Sequence, residues 1–180
     1  MGQDVRANLR AATSENHQRV DRIFSGFDLG ARDGYQRFLL AQAAHLPLER
    51  ALDSGAAGRV LADWPARRRG DRLRDDLAAL ALLVPESEAV APIADDGAAL
   101  GTIYVLEGSR LGAAVLRQSV PAAFPQAYLQ PGPSRLWREL IAVLERALDS
   151  QAARRSAIAA AHGAFNVFER SGRRFLAAAR

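Results

Sequence analysis

Two groups of residues in this chain have types and spacings that can do chemistry. The first is His17 with Asp21. Leu9, Thr13, His17, Val20 and Phe24 recur at i, i+4, i+8, i+11 and i+15. That is one continuous helical face, and it turns His17 inward among apolar neighbours, with Asp21 one turn on. A neutral imidazole can ligate a metal through one nitrogen while the other donates to a carboxylate. A histidine on an apolar stripe can equally be a packed, hydrogen-bonded core residue. The second group is Gly97, Gly101, Gly108 and Gly112, spaced four, seven and four apart in the stretch 95–116. With Val105 in the middle turn they fall along one stripe at a period near 3.6. Each interior glycine costs about 1 kcal/mol relative to alanine, so a helix that keeps four has something pressed against it. A bare backbone admits either a neighbouring helix or a flat ligand.

The elements that must position these residues read as helices. The chain is 180 residues long, 49% hydrophobic and rich in alanine. That suits an all-α fold in a single domain spanning 1–180, with ample chain for a core. No alternating strand pattern and no internal repeat appears. Cysteine is absent, which excludes disulfides, thiol nucleophiles and cysteine metal sites, and three histidines leave little room for a multi-histidine centre. The net charge is +4 and every basic side chain is arginine. The arginines are scattered, and the one dense cluster, Arg67-Arg68-Arg69, lies in a stretch flanked by Pro and Gly that reads as a linker. A nucleic-acid partner is therefore not expected. No apolar run reaches the length of a membrane span and the N-terminus is polar, so no membrane association and a cytoplasmic location are expected.

Taken in order, a first helix is expected over about 4–24. Asp33 with Gln36 resembles a capping box that opens a second helix, bent at Pro47, with His45 at the bend as a structural or exposed residue. A third helix is expected over 71–83, with Asp75 and Asp76 on a solvated face. After the linker 85–92 comes the glycine-bearing helix, capped by Asp95 or Asp96, in which Glu107 and Arg110 form an i,i+3 pair. A loop from 121 to 133 precedes a fifth helix carrying Leu136, Trp137 and Leu140. A last helix spans 152–176, with Phe165 and Phe168 inward, and Gly172 is expected to fray its end.

An inward histidine on one helix and bare backbone on another suit a planar, largely apolar ligand with a metal at its centre. Haem is such a ligand, and its carboxylates would want arginines at the pocket edge. At this point the sequence resembles the haem oxygenases, in particular the bacterial type associated with phytochromes. The resemblance is carried by Leu9-Arg10-Ala11-Ala12-Thr13-Ser14-Glu15-Asn16-His17, which matches the family's L-x-x-A-T-x-x-x-H, and by Tyr104-Val-Leu-Glu-Gly-Ser-Arg-Leu-Gly112, close to its Y-V-L-E-G-S-x-L-G segment. Pro47-Leu48-Glu49, Leu136-Trp137 and Ala164-Phe165 are weaker echoes in the right order.

The resemblance implies a haem oxygenase-like all-α bundle in which haem is both substrate and cofactor. Haem is cleaved with O2 and electrons to biliverdin, CO and ferrous iron. His17 would be the iron ligand and Asp21 the partner of its other nitrogen. Gly108, Ser109 and Gly112 would form the catalytic distal segment. Arg10 and Arg138 match positions that contact propionates, although both are also common surface residues, and Phe165 matches a pocket wall. The implied electron donor is a ferredoxin or flavoprotein, and a bacteriophytochrome is a candidate biliverdin acceptor. Two departures stand out. Ser109 occupies the place where many relatives hold an aspartate that organises a catalytic water. Ala113 replaces a glycine, and its methyl is expected to tighten the pocket or to limit the flexibility of the distal helix. Two alternatives stay open: a haem carrier without turnover on the same fold, and a helical interaction module that binds no haem.

Overall fold

The computed structural model describes residues 5–178. Among them all regular structure is helical: α1 (Val5–Phe24), α2 (Arg32–Gln42), α3 (His45–Asp53), α4 (Ala56–Val60), α5 (Trp64–Arg67), α6 (Gly70–Ala79), α7 (Asp96–Leu116), a 3-10 turn (Arg117–Ser119), α8 (Ser134–Ala147) and α9 (Gln151–Ala177). The expected start of the first helix at Asp4 lies outside the described residues. No described helix is long and apolar enough to cross a membrane.

Local chemistry sets the ends of the long helices. The Asp95 carboxylate accepts the Ala98 N–H at 2.8 Å, and the Ser150 hydroxyl accepts the Ala153 N–H at 3.1 Å. α6 stops in a Schellman motif, earlier than the expected residue 83. Leu82 N–H reaches Leu77 O and Ala81 N–H reaches Ala78 O, both at 2.9 Å, with Ala81 at φ 55°.

Several expectations are corrected. The second helix is two helices broken at residues 43–44, and Pro47 sits in the first turn of α3, where its missing N–H removes no helical hydrogen bond. Asp33 caps nothing; α2 begins after Ala31, and Asp33 instead pairs with Arg37 at 2.8 Å. The Asp76 carboxylate is buried, accepting Ala127 N–H at 2.9 Å and Tyr128 N–H at 2.8 Å, so it anchors the loop before α8. Gly172 does not fray α9. A Cβ there would meet Ile23 and Phe24 at 2.8 Å, so the glycine permits close approach of α1.

α9 is the spine of the fold. Its first turns lie against the N-terminal half of α7, where a Cβ on Gly97 would meet Ala153 O at 2.7 Å and one on Gly101 would collide with the Ala157 backbone. Further along, α9 leaves α7 for the C-terminal half of α1. There Asn16 Nδ2 donates to Asn166 Oδ1 at 3.3 Å, His162 Nδ1 lies 2.7 Å from Asn16 Oδ1, and Arg19 pairs with Glu169 at 3.1 Å. Behind this crossing, Phe38 meets Phe24 and Phe27 edge to face beside the fully buried Tyr35 and Leu39. The diagonal course of α9 leaves one flank of α1 and the second half of the α7 glycine stripe uncovered.

Candidate active site

The glycine stripe of α7 divides by function. Gly97 and Gly101 are packing positions under α9. Around Gly108 and Gly112, a Cβ would meet no heavy atom within 4 Å. On a helical projection Leu111 and Val115 share their face, and these are 49% and 66% exposed. The bare half of the stripe is thus an apolar surface with accessible main chain.

His17 lies on α1, and here the expectation of an inward side chain is corrected. The buried face of α1 is Val5, Leu9, Thr13, Asn16, Ile23 and Phe24. Eight residues at about 100° each carry His17 roughly 80° round from Leu9, off the centre of that face. Its side chain is 62% exposed, and Nδ1 lies 2.8 Å from Asp21 Oδ2. Arg6, Arg10 and Asp21 project along the same flank. The expected pairing with Asp21 is present, and it leaves Nε2 facing outward. Phe165 of α9 meets the His17 ring edge-on at 5.9 Å and forms the back wall.

One end of this cleft is closed. Tyr104 of α7 packs 5.8 Å from Trp137 of α8. Burial raises the Tyr104 phenol pKa, while the charges of Arg6 and Arg10 pull it back, which places those arginines of α1 beside the middle of α7. Arg138 is exposed on α8, with Nη1 3.4 Å from Ser134 Oγ; no contact among the described residues ties it to His17. Ala113 corrects another expectation. Its methyl is buried in the core, about 140° round α7 from Gly108, and does not narrow the cleft.

Ser109 also turns away from the cleft, toward a buried polar network that spacing alone did not reveal. Arg69 Nη2 donates to Ser109 Oγ at 2.5 Å and to Leu106 O at 3.0 Å, and Ser109 Oγ donates to Leu106 O at 2.7 Å. The Arg69 guanidinium sits 4.7 Å over the Tyr128 ring. Glu49 holds the base of this arginine, accepting Arg69 N–H at 2.6 Å, Gly70 N–H at 3.0 Å and His45 Nε2–H at 2.7 Å. Burial lowers the His45 pKa to about 4, and the arginines nearby assist against the opposing pull of Glu49. Burial pushes the Glu49 carboxyl up, but the donors from His45, Arg69 and Gly70 outweigh it and hold the pKa near 2. On the other side, Glu107 bridges Arg110 at 3.0 Å, as its spacing foretold, and Arg67 at 3.2 Å, while Arg110 also donates to Arg67 O. Two of the three arginines of the cluster, Arg67 and Arg69, are therefore buried, and Arg68 is exposed. The sequence carried one hint, a glutamate inside the apolar run Tyr104-Val-Leu-Glu107.

His17 with a carboxylate-bound Nδ1 on α1 and bare backbone at Gly108 and Gly112 on α7 are the features the structure provides here. No protein-family model matches the chain. It is 32% identical to the haem oxygenase PigA of Pseudomonas aeruginosa, over 92% of each chain. A haem oxygenase of Xanthomonas campestris is 42% identical over 58% of this chain and 67% of its own. The fold superposes on a haem oxygenase from Neisseria meningitidis, solved in its NO- and CO-bound forms. The TM-score is 0.84 at 23% identity, covering 97% of this chain and 92% of that one. With that likeness along nearly its whole length, the chain belongs to the haem oxygenase family.

Proposed function

We propose that this chain, as one unit over 1–180, degrades haem to biliverdin, CO and ferrous iron, using O2 and electrons from a ferredoxin or flavoprotein. The observation that carries the reading is the exposed His17–Asp21 pair on α1, together with the uncovered Gly108–Gly112 backbone of α7. When bound, haem supplies both the iron that activates O2 and the ring that is cleaved. The chain's own residues do the rest. His17 would hold the iron through Nε2, and Asp21 fixes the tautomer by accepting the Nδ1–H hydrogen bond. Gly108 and Gly112 let the α7 main chain lie close over the opposite face, and Leu111, Val115 and Phe165 exclude water from the ring. Arg10, joined by Arg6 and Tyr104, supplies charge and a phenol for the propionates at the closed end, with Arg138 reaching the same rim from α8. Ser109 acts through α7 and not by touching the ligand. A bacteriophytochrome is one acceptor that would use the product.

Purified protein mixed with one equivalent of hemin should give a sharp Soret band. That band should decay under air with ascorbate and catalase as a broad red band rises. A stable Soret band would make the protein a haem carrier, and no complex at all would make it a haem-free helical module.

A further inference from the structure

Three contacts converge on one buried side chain, its backbone anchored by a fourth group, and the reading above does not use it. Arg69 is 1% exposed, yet it sits in a three-arginine run between two short helices. Its backbone N–H and that of Gly70 are held by the two oxygens of Glu49. Its guanidinium is stacked over Tyr128. Its Nη2 ends on α7, on Leu106 O and Ser109 Oγ. Leu106 O already belongs to the helix ladder, and Ser109 flanks Gly108. A fixed cation thus grips the last turn of α7 before the backbone becomes bare.

Two adjacent glycine turns give α7 little side-chain packing to set its height over the cleft, and their backbone entropy works against a single position. We propose that Arg69 is a positioning residue: by binding Leu106 O and Ser109 Oγ it fixes how closely the Gly108–Gly112 backbone lies to the haem face. This rests on the reading of that face as the haem site. It also gives Ser109 a defined part. The hydroxyl accepts from Arg69 and donates to Leu106 O, so its proton is committed to the helix. Both contacts come from Nη2, and a lysine ammonium has donors enough for them but no planar face to stack on Tyr128, so it should substitute only in part.

The experiment compares wild type, Arg69→Gln, Arg69→Lys and Ser109→Ala as hemin complexes. The readouts are the Soret spectrum, the pH at which the ferric spectrum passes from its acid to its alkaline form, and the ascorbate-driven rate of biliverdin formation. Arg69→Gln should keep one-to-one hemin binding through His17, lose about tenfold or more in rate, and move the spectral transition upward by about half a pH unit as a nearby cation is removed. Arg69→Lys should recover part of both, and Ser109→Ala should move both in the same direction by less. A folded Arg69→Gln with wild-type rate and transition overturns the inference, as does a Lys variant no better than Gln. Should Arg69→Gln fail to fold, Ser109→Ala decides: a shifted transition supports the clamp and an unchanged one overturns it. Failure of wild type to bind or turn over hemin would instead overturn the haem reading itself.

Discussion

His17 Nδ1 and Asp21 Oδ2 lie 2.8 Å apart, one helical turn from each other, on the flank of α1 that α9 leaves uncovered. The carboxylate orients the ring by accepting the Nδ1–H hydrogen bond, and partners of this kind are worth roughly 10–100-fold in metal affinity. Asp21→Asn should therefore weaken hemin binding by about tenfold while the complex keeps histidine ligation. His17→Ala should abolish that ligation and most turnover. Hemin titration followed by Soret spectra checks both, and an unchanged spectrum in His17→Ala would remove His17 from the site.

The two halves of the glycine stripe should respond to alanine with opposite signs. A methyl at Gly101 would collide with the Ala157 backbone, which has nowhere to move without parting α7 from α9. Gly101→Ala should cost about 1–3 kcal/mol or more, read as a fall in the urea midpoint. A methyl at Gly108 meets nothing, so Gly108→Ala should stabilise the ligand-free protein by up to about 1 kcal/mol from helix propensity. The same change should slow haem turnover, because the methyl enters the face over the ring.

Ala81 provides a test away from the site. It holds the left-handed position of a Schellman motif, at φ 55°, where glycine is the usual residue. Ala81→Gly relieves a steric clash worth about 1–2 kcal/mol and loses part of that gain to the freer unfolded chain. A net stabilisation of about 0.5–1 kcal/mol is expected by chemical denaturation, with turnover unchanged.

The Glu49 node should set the acid limit of stability. His45 is held down to about 4 in the folded state, against 6.5, so the unfolded chain takes up a proton first. Stability should fall as pH drops from about 6.5 toward 4. Glu49 is held near 2, against 4.5, so its contribution is present above 4.5 and is lost as pH falls toward 2. Glu49→Gln replaces an oxygen that accepts buried N–H groups with a donor, and should cost about 3 kcal/mol at pH 7. Denaturant midpoints measured from pH 3 to 8 would show the slope below about 4.5 reduced in that variant, while the His45 slope between 6.5 and 4 is retained.

What the sequence determined by itself was the part written in local periodicity and composition: helices throughout, the Asp95 start of α7, the Glu107–Arg110 pair, and the two motifs that carry His17 and the distal glycines. These depend on neighbours within a turn or two, so spacing suffices. Tertiary structure decided the rest. His17 was read as inward because i+8 falls near the same face, but a drift of about 80° is resolved only by knowing that α9 covers one flank and leaves the other open. Gly97 and Gly108 are alike in sequence, and the diagonal course of α9 alone makes one a packing contact and the other bare backbone. Arg67, Arg69 and Asp76 looked solvated because charge is normally exposed, and their partners Glu107, Glu49 and the N–H groups of Ala127 and Tyr128 lie 20 to 52 residues away in the chain. No local pattern encodes a pairing at that range; it exists only once the helices have packed.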